Sequence, residues 1–144
     1  VCAALVDAGA KDICILNRTR NRSERLVSDF GSIVSWKNWD SRSSVLKDAH
    51  LLVNTTSLGM DGQPNLEIDV SLLSEEAVVY DLVYSPLMTK LLIAAEENGN
   101  RIIGGLGMLL HQARPGFSAW FGEEPRVSDK LRSFVKMDLV GKVK

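Results

Sequence analysis

Short apolar runs alternate along the chain with longer segments in which apolar residues recur every three or four positions. Ile13-Cys14-Ile15-Leu16, Leu51-Leu52-Val53, Ala77-Val78-Val79-Tyr80 and Arg101-Ile102-Ile103 are too short for helices, and they predict buried strands of a parallel sheet. Ile33-Val34-Ser35-Trp36 predicts a weaker one. Helical spacing places Val1, Leu5 and Ala8 on one side of an opening helix, with Gly9 as its end. Leu26, Val27 and Phe30 mark a helix over residues 23–30, and Val45, Leu46 and Ala49 one over 41–49. Residues 70–73 predict a single turn. Leu91, Leu92 and Ala95 face inward from a helix over 87–98 that starts behind Pro86, and Gly99 closes it. Leu109, Ala113, Phe117 and Trp120 form a stripe on a helix over 108–120. Val127, Leu131, Phe134, Val135 and Leu139 give a terminal amphipathic helix that lies on the sheet or on a partner domain. Strand and helix in regular alternation predict an α/β fold with a doubly wound, mostly parallel sheet.

Ligands of such sheets bind at the carboxyl ends of the strands, so the residues that follow each strand carry the candidate chemistry. After the first comes Asn17-Arg18-Thr19-Arg20-Asn21-Arg22. In a dinucleotide site an acid at this place binds a free ribose 2′-hydroxyl, whereas arginine accommodates a 2′-phosphate. Here there is no acid and there are three arginines, which favours NADP over NAD. On the local sequence, solvated charges in a turn fit equally well. Asn54-Thr55-Thr56-Ser57-Leu58-Gly59-Met60 follows the strand over 51–53 and suits either a plain turn or a sugar and phosphate contact. Asp81-Leu82-Val83-Tyr84-Ser85-Pro86 follows the next, with a tyrosine hydroxyl available to a ligand. Gly104-Gly105-Leu106-Gly107 follows the last and lets a backbone approach a flat ring closely. Gln112, one turn beyond Met108, shares its helix face.

With 144 residues, 45% hydrophobic and 24% charged, one domain with a real core is expected, and a net charge of −1 gives no footprint for nucleic acid or an acidic membrane. Cys2 and Cys14 lack the spacing of a metal site and read as reduced, small hydrophobes, while no run approaches the ~20 apolar residues of a membrane span. These features fit a cytoplasmic protein. The first residues are already helical in pattern, without an initiator Met, and no strand is followed by Gly-x-Gly-x-x-Gly. The expectation is a Rossmann-like domain over residues 1–144 that lacks its first strand and its Gly-rich phosphate loop.

Four stretches in order resemble the shikimate dehydrogenases, NADP-dependent reductases of the aromatic amino-acid pathway. They are Asn17-Arg18-Thr19 with Arg22, Val53-Asn54-Thr55-Thr56-Ser57, Tyr80-Asp81-Leu82-Val83-Tyr84 with Pro86 and Thr89, and Gly105-Leu106-Gly107-Met108-Leu109-Leu110 with Gln112-Ala113. The resemblance implies that Asn17, Arg18, Thr19 and Arg22 hold the adenosine and its 2′-phosphate, and that Thr55, Thr56 and Ser57 line the cofactor. Leu82, Gly105 and Met108 would border the nicotinamide, and Tyr84 and Gln112 would reach the carboxylate and hydroxyls of shikimate or 3-dehydroshikimate. The family's amino-terminal substrate domain, with the Lys and Asp pair that moves the proton, has no counterpart here. No catalytic residue is therefore assigned to this chain, and alone it is expected to be inactive and to bind NADP poorly. A quinate/shikimate relative using NAD and a non-catalytic nucleotide-binding module are the alternatives.

Overall fold

The computed structural model describes residues 1–141 and divides them into two compact units, Val1–Ala49 and a second that begins at His50. Every pairing of strands is parallel, and helices alternate with strands, as the periodicity predicts. The ladders form a two-stranded and a three-stranded sheet where one sheet was expected.

In the first unit α1 (Cys2–Asp7) precedes β1 (Ile13–Asn17), followed by α2 (Arg20–Phe30), β2 (Val34–Asn38) and α3 (Arg42–Leu46). β1 runs beside β2 in a register that pairs Ile13 with Val34 and Asn17 with Asn38. All five residues of β1 are half-buried. Of the hydrophobic residues here only Val34 and Leu46 are fully buried. α2 starts earlier than its apolar pattern, so Arg20 and Arg22 lie in its first turn and not in a loop. β2 starts at Val34 after a 3-10 turn, Gly31–Ile33.

The second unit holds the larger core. β4 (Val78–Asp81) lies between β3 (Leu51–Asn54) and β5 (Arg101–Ile103), pairing Asn54 with Asp81 and Tyr80 with Ile103. Val79, Val83, Leu91, Leu92, Ala95, Leu106 and Leu110 pack with Val70, Leu73 and Ala77 to exclude water. The single turn over 70–73 is a 3-10 turn, Val70–Leu72, capped by Asp69, whose side chain accepts from the Ser71 amide and hydroxyl. That hydrogen bonding, from the Ser71 hydroxyl first and its amide second, lowers the Asp69 pKa.

α4 (Lys90–Glu97) begins later than the apolar pattern suggests. Pro86 sits in a cis peptide bond after Ser85 and turns the chain, and Thr89 is the N-cap, its hydroxyl accepting from the Leu92 amide at 3.3 Å. α5 (Leu106–Phe121) begins two residues earlier than expected. It buries Leu106 and Leu110, not the expected stripe: Phe117 is exposed, and Trp120 is 80% exposed. α6 (Asp129–Gly141) likewise buries none of its residues. No helix among the described residues is long and apolar enough to cross a membrane.

Candidate functional site

The carboxyl end of β1 presents cations without internal partners. Asn17 ends the strand, and its side chain accepts the Thr19 amide at 3.1 Å, turning the backbone so that Thr19 takes the N-cap position of α2 without a capping hydrogen bond from its side chain. Arg20 is committed to its own helix: its Nε is 2.6 Å from Glu24, and its guanidinium lies 5.8 Å from the Trp36 ring centre. Arg18 and Arg22 are exposed, and among the described residues neither has a hydrogen-bond or ion-pair partner. Two of the three arginines are therefore available to an anion. Trp36 and Trp39 are packing residues, each half-buried beneath a guanidinium, Arg20 over one and Arg42 at 5.2 Å over the other.

At the ends of β3 and β4 the polar side chains are instead spent on one another. Asn54, 3% exposed, accepts the Thr56 amide and hydroxyl at 3.0 and 2.8 Å, and its Nδ2 donates to the Leu58 carbonyl and to Asp81 Oδ1, both at 3.0 Å. Thr56 Oγ1 also accepts the Leu58 amide at 3.1 Å. Asp81 has no exposed surface; its Oδ1 accepts the Val83 amide at 3.0 Å and its Oδ2 the Thr89 hydroxyl at 2.7 Å. The Leu82 amide donates to the Asn54 carbonyl at 3.1 Å. Burial also raises the pKa of the Tyr80 hydroxyl, one residue before Asp81.

The structure thus brings the Thr55, Thr56 and Ser57 turn, the Leu82 to Tyr84 segment and the start of α5 to one place. The Gly105 amide donates to the Val83 carbonyl at 3.2 Å. A Cβ on Gly105 would lie against the Leu82 carbonyl oxygen and 2.6 Å from that of Val83, so the glycine is demanded by the chain's own backbone. Thr55 and Ser57 stay exposed, with no hydrogen bond from either side chain among the described residues, while the Thr56 hydroxyl is already engaged. Met108 and Tyr84 are half-buried and Gln112 is exposed on α5. Sequence reasoning gave no role to Asp81 or Thr89 and took Asn54 only as part of a turn or a sugar and phosphate contact. The signal was present in Thr89, a good N-cap before the apolar run Leu91-Leu92, and in an acid that ends a strand otherwise apolar.

No family model matches the chain. Individual proteins do. The shikimate dehydrogenase (NADP(+)) of Paramagnetospirillum magneticum is 53% identical over 135 residues, 94% of this chain and 49% of that protein. By sequence, the chain is a homologue of shikimate dehydrogenase. It spans about half the length of the curated shikimate dehydrogenases that it matches. The solved shikimate 5-dehydrogenase of Thermus thermophilus, in complex with NADP(H) and shikimate, superimposes with a TM-score of 0.74 at 30% identity, over 96% of this chain and 48% of that one. A quinate dehydrogenase of Corynebacterium glutamicum in complex with NAD gives 0.79 at 29% identity, over 96% and 49%. The parallel α/β architecture is the one that shikimate dehydrogenases share.

Proposed function

We propose that this chain is the cofactor-binding half of an NADP-dependent shikimate dehydrogenase, a cytoplasmic enzyme that reversibly reduces 3-dehydroshikimate to shikimate. The observation that carries the proposal is the end of β1, where Arg18 and Arg22 stand exposed, without a hydrogen-bond or ion-pair partner among the described residues, in a stretch from Asn17 to Arg22 that contains no acid. NADPH, when bound, supplies the hydride that reduces the ketone. The chain's own part is to bind and orient. Asn17 and Thr19 shape the turn, and Arg18 and Arg22 hold the adenosine 2′-phosphate by charge-assisted hydrogen bonds. Thr55, Thr56 and Ser57 line the cofactor, and Leu82, Gly105 and Met108 border the nicotinamide. Tyr84 and Gln112 hold the carboxylate and hydroxyls of the substrate. The acid-base pair for the reacting hydroxyl belongs to a separate substrate domain, so this half alone is inactive.

The resemblance to a quinate dehydrogenase that holds NAD supports a second reading, in which the enzyme takes quinate and NAD. One assay separates the two: oxidation of shikimate and of quinate by the full-length protein, each with NADP+ and with NAD+, followed at the nicotinamide absorbance. Turnover of shikimate with NADP+ well above the other three pairs is expected. Preference for quinate with NAD+ would establish the second reading, and no turnover with any pair would leave only a nucleotide-binding module.

A further inference from the structure

We propose that Asp81 is a positioning residue that locks the cofactor-side turn and the substrate-side loop together, so that affinity for the two ligands is set by one buried carboxylate. The proposal rests on the reading of the site given above. Asp81 has no exposed surface and touches neither ligand, so whatever it does it does through its neighbours. Three donors converge on it from three pieces of chain. Asn54 Nδ2 reaches Oδ1 from the end of β3, the Val83 amide reaches the same oxygen from the residue before Tyr84, and the Thr89 hydroxyl reaches Oδ2 from the N-cap of α4. Asn54 carries the restraint onward, because the same amide group that donates to Asp81 donates to Leu58, and its carbonyl oxygen holds Thr56.

The chemistry demands a carboxylate at this place. All three partners are donors, and the two oxygens of the carboxyl group are the acceptors that meet them. In a water-free setting such bonds strengthen one another, and a single lost partner leaves buried donors unpaired. Thr56, two hydrogen bonds away through Asn54, and Tyr84, next in the chain to Val83, which donates to Asp81, are therefore tied to one group although they face different ligands in the proposed function. Thr89 contributes nothing to either ligand directly, being 1% exposed, yet it orients the carboxylate.

The test uses the full-length enzyme with Asp81→Ala, Thr89→Val and Thr89→Ser, measuring kcat, KM for NADP+, KM for shikimate and the melting temperature. Asp81→Ala is expected to raise both KM values together by about tenfold, as misplacement of positioning groups does. Thr89→Val raises both by less, and Thr89→Ser, which keeps the hydroxyl, restores them. A fall in melting temperature with both KM values within about twofold of wild type, or a rise in one KM alone, would overturn the proposal. If Asp81→Ala does not fold, the Thr89 pair decides. Amide hydrogen exchange gives a readout independent of activity: in Thr89→Val the amides of Thr56, Leu58 and Val83 exchange faster together, and unchanged protection of either loop overturns the coupling. Wild-type enzyme silent with shikimate and NADP+ would refute the function while the exchange result still ruled on Asp81.

Discussion

The carboxyl ends of β1 and of β3 with β4 are both rich in polar side chains, yet they are built in opposite ways. After β1 the arginines project from a thinly packed unit with Val34 and Leu46 as its fully buried hydrophobic residues, and two of the three have no partner among the described residues. After β3 and β4 Asn54, Asp81 and Thr89 are buried and paired with one another, over a core that runs from Val70 to Leu110. A group left unpaired on the surface costs the fold little and is free to bind. Buried in an apolar core it would cost several kcal/mol unless satisfied, so there polar residues serve geometry. The first region offers charge to a ligand, and the second fixes where the backbone goes.

The sharpest way to break this contrast is at Gly105. Gly105→Ala places a methyl between the Leu82 and Val83 carbonyls, 2.6 Å from the latter, and is expected to cost about 3 kcal/mol or more. Urea unfolding measures it, and a wild-type midpoint would mean that the loop after β4 is free to give way. Next in size, Arg18→Ala and Arg22→Ala should each raise KM for NADP+ about tenfold or more, the loss of one charge-assisted bond of ~1.5–3 kcal/mol, with KM for NAD+ and the melting temperature unchanged. An equal rise for both cofactors would show that the arginines do not read the 2′-phosphate. The smallest effect belongs to Arg20→Ala. Its ion pair with Glu24 is exposed, so stability should fall by about 0.5 kcal/mol or less, with cofactor preference intact.

Sequence pattern by itself determined the alternation of strands and helices, the parallel pairing and the inward positions Leu91, Leu92 and Ala95, because short apolar runs and helical spacing are local properties of the chain. It also marked the arginine-rich turn, since an absent acid and repeated guanidinium groups are read directly from residue type. It could not tell that Arg20 is held by Glu24 while Arg18 and Arg22 have no partner among the described residues, nor that Phe117 and Trp120 lie outside the core. The start of α4 moved to Lys90 because capping by Thr89 outweighs the apolar spacing. Asp81 shows the division most clearly. Its identity is local, but its three donors come from positions 54, 83 and 89, and only the pairing of β3 with β4 and the return of the chain into α4 bring them within hydrogen-bond distance. The glycine at 105 is of the same kind: its reason is a backbone more than twenty residues earlier in the chain, and close approach between distant segments is decided by packing alone.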